Sequence, residues 1–192
     1  MASLTMRTLN DLSRQVANCV SCELSASRTQ VVFGTGHPRA DYFFIGEGPG
    51  AKEDIEGEPF IGRSGNLLNR LIEEELCVDR SLCYIANVVK CRPPDNRNPK
   101  SAEISACQPY LNEQIKLVNP AVIITLGNFA SRLLLNTKDG ITTLRGKSYS
   151  YRDHNLVPTF HPAAALRGNP DAMKNMRLDF QLAYSIVSGI TK

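Results

Sequence analysis

Short apolar runs alternate along the chain with longer segments whose apolar residues have helical spacing. The runs at 42–45, 83–89 and 121–126 are almost continuously apolar and lie between turn residues, so we predict three buried strands. Residues 147–160 predict a further pair of strands joined by a turn. Continuous apolar strands are typical of a parallel sheet that is covered on both faces.

The segments between these runs carry helix signals. Residues 8–18 predict a helix, and Ser64 is expected to cap another one after a long loop that runs to Gly62. Strands that alternate with helices predict a single α/β domain over residues 1–192, with a mainly parallel central sheet. Three further helix starts are expected at Ser101, Asn128 and Asn169.

Length and charge narrow the class of protein. The 192 residues suffice for one core, and the formal net charge of +3 allows an anionic partner without requiring one. No apolar run reaches the roughly 18 residues of a membrane span. The first residues lack the apolar core of a secretory signal. We therefore expect a soluble, intracellular, cytoplasmic protein without membrane contact.

Three polar residues stand where predicted strands end. Glu47 follows the first strand, Asn87 lies near the end of the second, and His161 follows the last. Ligands of open α/β sheets bind beyond the carboxyl ends of the strands, so this pattern predicts one site that contains all three. An imidazole at a strand end can aim an N–H donor at developing negative charge. A histidine satisfied by backbone groups is the alternative.

Four of the six cysteines have a spacing that suits a metal centre. Cys19 and Cys22 form a CxxC pair, and Cys91 and Cys107 follow farther along the chain. Four thiolates suit an iron–sulfur cluster or tetrahedral zinc, and the spacing does not separate the two. A chance CxxC pair with two buried thiols is the simpler alternative. The other two cysteines lie within apolar patterns and are expected in the core: Cys77 and Cys83.

A glycine-rich segment, GEGPG at 46–50, follows the first strand. Its N–H groups can contact a ligand, although it is neither a phosphate-binding GxxxxGK(S/T) loop nor a GxGxxG loop. A tight turn with solvated acids is the alternative. Farther along, Phe60 can stack on a planar base or pack into the core. Ser64 can bind phosphate at a helix start, or only cap that helix.

Several segments, in this order, resemble the family 4 uracil-DNA glycosylases, the thermophile-type enzymes with a 4Fe-4S cluster. They are the CxxC pair, GEGPGAKED, GEPFIGRSGNLL, ANVVKCRPPDNRNP, the fourth cysteine, LGNFA and HPAAALR, and they cover nearly the whole chain from Cys19 onwards. The resemblance implies a three-layer α/β/α sandwich. It also implies a base excision repair enzyme that hydrolyses the N-glycosidic bond of flipped-out deoxyuridine, releasing uracil and leaving an abasic site.

The resemblance implies a role for each matching residue. Asn87 would read the uracil edge, Phe60 would stack on the base, and His161 would stabilise the leaving anion. Glu53 would crowd the 5-position and so help to exclude thymine. The rest of the uracil pocket is expected from Gly46, Glu47 and Gly48. Contacts with DNA are expected from Gly62, Ser64, Leu166 and Arg167. A structural 4Fe-4S cluster is expected on Cys19, Cys22, Cys91 and Cys107.

One departure from the wider superfamily concerns the residue that positions water. Many relatives carry an aspartate two residues after the first glycine of the loop, where this chain has Gly48. Glu47 is the first candidate for that role, and Asn87 is the second. The stretch 93–99 lacks the histidine of a cross-linking subgroup, so covalent capture of DNA is not expected.

The expected partner is uracil-containing DNA, single- or double-stranded, and a sliding clamp is a further candidate partner. The protein is expected to be a monomer that acts near the nucleoid. An inactive iron–sulfur DNA-binding accessory domain is the main alternative function, and a small electron carrier is another. A set of basic residues is expected to contact phosphates, with a solvated surface charge as the alternative for each: Lys90, Arg92, Arg97, Lys100, Arg145, Lys147 and Arg167.

Overall fold

The computed structural model describes residues 8–189. The strands are β1 (Thr35–Gly36), β2 (Tyr42–Gly46), β3 (Tyr84–Asn87), β4 (Val122–Leu126), β5 (Tyr149–Tyr151) and β6 (His154–Thr159). The helices are α1 (Leu9–Ala17), α2 (Ala51–Glu56), α3 (Arg63–Leu71, continued by a π-helical turn over Ile72–Leu76), α4 (Ser101–Val118), α5 (Asn128–Leu135), α6 (Ile141–Leu144), α7 (Pro162–Leu166) and α8 (Pro170–Ser188). No helix in the described part of the chain is both long and apolar enough to cross a membrane.

The six strands form one sheet in the order β1-β3-β2-β4-β6-β5. The four inner strands run parallel, and the outer β1 and β5 pair antiparallel with their neighbours. The register pairs Gly46 with Asn87, the last residues of β2 and β3. The predicted α/β fold with a mainly parallel sheet is confirmed, and the carboxyl ends of the inner strands meet at one edge.

Helices cover both faces of the sheet, which explains the continuous apolar strands. Phe43 and Ile45 of β2 belong to a core with Leu111 of α4. Phe44 belongs to the core on the other face, where its ring centroid lies 5.5 Å from that of Phe180 on α8. Successive strand residues point to opposite faces, so a strand buried on both sides needs apolar residues at nearly every position.

The predicted capping residues of three helices lie inside the first turn instead. Gly62, Lys100 and Gly127 occupy the cap positions. Acidic side chains help to explain two of these starts: Glu53 accepts the Gly62 N–H at 3.1 Å, and Glu103 accepts the Lys100 N–H at 2.7 Å. The predicted caps that are corrected in this way are Ser64, Ser101 and Asn128. Asn169 does cap α8 as predicted, because its side chain accepts two N–H groups of the first turn.

The stretch before Gly62 contains a helix that the apolar pattern does not reveal. This helix, α2, has the polar sequence AKEDIE and ends at Gly57 in the left-handed conformation. Asp54 of α2 is buried, and its carboxylate accepts the backbone N–H of Thr29. The helix is therefore anchored by a contact distant in sequence rather than by an apolar face.

The two cysteines expected in the core differ in their surroundings. Cys83 is fully buried, as predicted. The prediction for Cys77 is wrong, because this residue is exposed and adopts the left-handed conformation directly after the π-helical turn. A residue at such a helix end turns away from the apolar stripe that the preceding residues follow.

A buried ion pair holds the carboxyl end of β6 against α8. Asp179 of α8 is fully buried, and it accepts hydrogen bonds from the Thr159 hydroxyl at 2.7 Å and from the Arg145 guanidinium at 2.7 and 3.0 Å. Burial raises the pKa of Asp179, while its bonds with Arg145 and Thr159 oppose the rise. The Arg145 side chain is thus engaged by this pair, which does not support its predicted contact with phosphate.

Candidate active site

A cleft of about 1260 Å³ opens at the carboxyl edge of the sheet. Glu47, Asn87 and His161 line it together with Phe60. Glu47 follows β2, Asn87 is the last residue of β3, and His161 lies just after β6. Phe60 lies in the segment before α3. The structure therefore brings together the residues that the strand-end pattern selects. The cleft continues past them to the loop after β3 and to α5, so it is larger than a single base requires.

Asn87 presents an unpaired polar atom in the wall of this cleft. Its side chain is 2% exposed, and its Oδ1 has no hydrogen-bond partner. A Cβ atom at Gly46 would lie 2.4 Å from this Oδ1 and 2.6 Å from the ring of Phe60. Glycine thus lets the amide and the ring converge. An unpaired buried acceptor costs about 1–3 kcal/mol, which a ligand N–H would offset.

His161 is held as one neutral tautomer. Its Nδ1 accepts the backbone N–H of Ala163 at 3.1 Å, so the proton of the neutral ring lies on Nε2. Burial, with a smaller contribution from Arg167, lowers the pKa of His161 to about 4. The ring centroid lies 5.7 Å from that of Phe60. His161 therefore offers a neutral N–H donor to a ligand in the cleft.

Glu47 is half-buried beside these residues, and burial raises the pKa of its carboxyl group. Its backbone carbonyl accepts the N–H of Val89 at 3.1 Å, and the carbonyl of Gly46 accepts the N–H of Val88 at 2.9 Å. These bonds continue the pairing of β2 with the chain after β3. They order the glycine-rich segment, including Gly48, where a Cβ atom would lie 2.9 Å from the Val89 side chain.

Glu53 lines the cleft, but its carboxylate also has backbone partners. Its Oε1 accepts the N–H groups of Ile61 and Gly62 at 3.2 and 3.1 Å. Glu53 thereby orders the segment that carries Phe60, a contact that the sequence does not indicate. Its expected effect on the 5-position of the base stays a prediction.

Arg80 is a residue near the site that the sequence reasoning missed. It lies in a short 3₁₀ turn, Arg80–Leu82, and its guanidinium donates to the backbone carbonyls of Pro59 and Phe60. Main-chain carbonyls are supplied by every residue type, so no motif marks such a contact. Only the folded chain brings this guanidinium to the Phe60 segment.

The residues expected at DNA lie in the cleft wall or next to it in the chain. Ser64 and Arg167 line the cleft. Leu166 is 40% exposed at the end of α7. Gly62 precedes α3 and donates its own N–H to Glu53, but no side chain caps the N–H groups of the first turn, which therefore favour an anion. Contacts between these residues and phosphate stay predictions.

Several basic residues expected at phosphates have partners within the protein. Arg97 forms two hydrogen bonds with the buried carboxylate of Glu103, and Lys100 pairs with Glu23. These pairs tie the loop after β3 to the rest of the chain. Lys90 is 1% exposed, so its predicted contact with DNA is wrong.

Four cysteines surround one small pocket behind the cleft. Cys19 and Cys22 follow α1, Cys91 follows β3, and Cys107 lies on α4. No three His, Cys, Asp or Glu side chains within residues 8–189 meet as a single metal ion requires. The sulfurs instead surround a space that no carboxylate lines. Three polar groups lie close to them: the Lys90 N–H at 3.2 Å from Cys107, Arg28 at 3.5 Å from Cys91 and the Tyr110 hydroxyl at 3.6 Å from Cys19.

Lys90 joins this pocket to the cleft. Its backbone N–H donates to Cys107 Sγ, and its ammonium group donates to the backbone carbonyl of Asn87 at 2.7 Å. Burial lowers the pKa of Lys90 to about 8, and the neighbouring Cys107 and Cys91 oppose this effect. A buried cation without a carboxylate partner is stabilised when the thiols beside it carry negative charge. The donor set therefore fits an anionic, thiolate-bound group.

The comparison with protein families agrees with this fold and cleft. The model described as the uracil DNA glycosylase superfamily matches residues 33–181, a segment that holds every strand and all of the cleft-lining residues. The fold and the site thus define a member of this superfamily.

Three relatives named type-4 uracil-DNA glycosylase are similar along most of their length. That of Sulfurisphaera tokodaii is 43% identical over 184 residues, covering 92% of this chain and 83% of the relative. That of Thermotoga maritima is 40% identical over 179 residues, covering 92% and 93%. That of Archaeoglobus fulgidus is 36% identical, covering 92% of both. The chain belongs to the type-4 uracil-DNA glycosylase family, which confirms the resemblance.

The tautomer and burial of His161 predict its titration. We expect the ring to stay neutral through the physiological range and to protonate only near pH 4, because burial disfavours the charged form. NMR titration of the histidine ring signals, assigned with His161→Asn, measures this value. Arg167→Gln removes a nearby positive charge and should raise the pKa only slightly. A midpoint between about 6 and 7, the range of an ordinary histidine, would contradict the arrangement.

Proposed function

We propose that this protein removes uracil from DNA by hydrolysing the N-glycosidic bond of a deoxyuridine flipped into the cleft. The unpaired Oδ1 of Asn87 carries this proposal. Uracil presents an N–H at position 3 between two carbonyl groups, and an asparagine amide offers an acceptor for that N–H and a donor for O4. Cytosine presents the opposite pattern at these two positions. Thymine shares the uracil pattern, so its methyl group must be excluded, the role proposed for Glu53.

The base would stack on the ring of Phe60. This ring approaches Asn87 across Gly46, so one planar base can contact the ring with its face and the amide with its edge. Stacking of a base on an aromatic ring contributes about 1–3 kcal/mol. Gly46 carries no side chain that would fill this space, and Gly48 is proposed to line the pocket beside it.

His161 would act on the departing base. As the bond between C1′ and N1 breaks, positive charge develops on the sugar and negative charge on the uracil. The Nε2–H of neutral His161 would donate to O2 and stabilise that anion. A single preorganised donor of this kind typically raises a rate by about 100- to 1000-fold.

Glu47 would orient the water that attacks C1′ and accept its proton. Its position after β2 and its partial burial support this role. Asn87 is the second candidate, although its amide is already assigned to the base edge. The products are free uracil and an abasic site.

The DNA backbone would cross the opening of the cleft. The uncapped first turn of α3, which follows Gly62, would bind a phosphate through its N–H groups and the Ser64 hydroxyl. Arg167 would add a positive charge at the same opening. The exposed side chain of Leu166 would fill the space in the duplex that the flipped base leaves.

We propose that Cys19, Cys22, Cys91 and Cys107 hold a 4Fe-4S cluster. The four cysteines line one pocket that contains no carboxylate, and four thiolates are the usual ligands of such a cluster. When bound, such a cluster would cross-link three parts of the fold rather than take part in hydrolysis. Lys90 and Arg28 would offset its negative charge.

An inactive DNA-binding accessory domain has no observation in its favour, since the cleft retains both Asn87 and His161. The proposed substrate supports an intracellular location beside DNA. No contact within the described residues bears on a sliding clamp or on the monomeric state, and both stay predictions.

The first test is cleavage of an oligonucleotide that contains one deoxyuridine, followed by alkali. We expect strand scission at uracil and none at thymine. His161→Ala should lower the single-turnover rate by about 100- to 1000-fold, because it removes one donor to the leaving anion. The binding of DNA should change little. His154→Ala, at the opposite end of β6, is the control. An equal loss of binding and cleavage in His161→Ala would count against the proposed role.

Asn87→Asp tests the reading of the base edge. The carboxylate keeps an acceptor for the N3–H but loses the donor to O4, so we expect uracil excision to fall by about 10- to 100-fold, the cost of one unpaired buried polar group. Discrimination against cytosine should narrow, because a carboxylate accepts from its amino group. Asn155→Asp, exposed near the start of β6 and outside the cleft, is the matched control. Unchanged excision by Asn87→Asp would refute the assignment.

Iron analysis tests the cluster. Protein purified without oxygen should contain about four irons per chain and absorb visible light. Cys91→Ser and Cys107→Ser should lose iron and unfold at a lower temperature, because each removes a ligand. Cys77→Ser, which is exposed and distant from the pocket, should retain the full iron content. Zinc in place of iron, or equal iron in all variants, would refute the proposal.

A further inference from the structure

The backbone of Phe60 adopts a strained conformation at the cleft. Its φ angle is +54°, in the left-handed region that bulky side chains rarely occupy. Such a conformation costs about 1–3 kcal/mol and persists only where surrounding contacts impose it. The contacts around this segment therefore decide where the Phe60 ring lies.

Arg80 holds the carbonyl side of this segment. Its Nη2 donates to the carbonyl of Pro59 at 2.6 Å, and its Nη1 donates to the carbonyl of Phe60 at 3.0 Å and to Asn69 Oδ1 at 2.6 Å. The arginine side chain is only 18% exposed. Its planar fork fixes both carbonyl groups at once, which a lysine ammonium on a flexible stem does not reproduce.

Two other residues limit the segment from different directions. Glu53 accepts the N–H groups of Ile61 and Gly62. Gly65 of α3 lets the helix approach so closely that a Cβ atom there would lie 1.8 Å from the Phe60 carbonyl oxygen. Of these contacts, only those of Arg80 reach the carbonyl groups of both Pro59 and Phe60.

We propose that Arg80 is a positioning residue that holds the Phe60 ring as the platform for the flipped base. Phe60 contacts the base in the proposed function, on which this inference rests, whereas Arg80 acts only through the main chain of Phe60. Without Arg80 the segment would relax toward ordinary backbone angles and displace the ring from Asn87 and His161. A displacement of about 1 Å at a reacting complex can cost about 100-fold in rate.

The absence of tryptophan from the chain allows a direct test of the ring position. Phe60→Trp introduces a single tryptophan at the platform, and its emission is excited selectively at wavelengths beyond the absorption of the six tyrosines. We expect Arg80→Gln in this background to shift the emission to longer wavelength and to increase quenching by acrylamide, because the ring becomes more exposed. Arg70→Gln, on the exposed face of α3, is the matched control and should leave both unchanged. Identical spectra with and without Arg80→Gln would overturn the proposal.

A double-mutant cycle on uracil excision supplies the second arm. We expect Arg80→Gln to lower kcat/KM by about 10- to 100-fold in the wild-type background and by less than about 2-fold in Phe60→Ala, because both changes remove the same platform. Losses that multiply would show that Arg80 acts independently of Phe60 and would overturn the proposal. Denaturant unfolding verifies that each variant is folded, and Arg80→Lys replaces Arg80→Gln in both arms if the latter does not fold.

The two arms separate this inference from the proposed function. If the wild-type protein releases no uracil, the proposed function fails, and the fluorescence arm still decides whether Arg80 positions residue 60. If the wild-type protein releases uracil while the spectra do not respond to Arg80→Gln, the function stands and the inference fails.

Discussion

The parallel alignment of the inner strands is the constraint on which the rest of the site depends. Because β2 and β3 pair Gly46 with Asn87, the two strands end side by side. Gly127 directly follows β4 and has a φ of +91°. A Cβ atom at this glycine would lie 3.0 Å from the Cβ of His161, which follows the neighbouring strand β6. This close approach lets the chain after β6 enter the same edge. The register of the parallel strands therefore places residues from β3 and from the chain after β6 at the same edge of the sheet, where they line the cleft.

The sequence predicts the elements of the sheet better than the details of the site. Strands buried on both faces must be apolar at nearly every position, so β2 and β4 could be found by their composition alone. The helix α2 could not, because Asp54 anchors it through a backbone N–H distant in sequence. Glu47, Asn87 and His161 could be selected because they follow strands. Arg80 and the buried state of Lys90 could not, since both depend on main-chain carbonyl groups that leave no mark in the sequence.

Three features around the cleft destabilise the folded protein when no ligand is bound. The Oδ1 of Asn87 lacks a partner, Phe60 is strained, and burial holds His161 far from its ordinary pKa. Each of these features is unfavourable in the free protein and favourable to a bound base: an acceptor without competition, a ring fixed beforehand, and a neutral N–H donor. Their clustering is typical of a preorganised site. In such a site the free energy needed to arrange the polar groups is already spent when the protein folds, and not when the ligand binds.

Lys90 connects the four cysteines to the wall of the cleft through two hydrogen bonds. It lies three positions after Asn87, whose carbonyl accepts a hydrogen bond from its ammonium group, while its own backbone N–H donates to Cys107. The chain from Asn87 to Cys91 is therefore fixed at one end by the register of β3 and at the other by the cysteine pocket. A group bound to the four thiols would immobilise the far end of this short segment. Under the proposed function, the position of the Asn87 amide at the base edge would thus depend on the cysteine centre through structure alone.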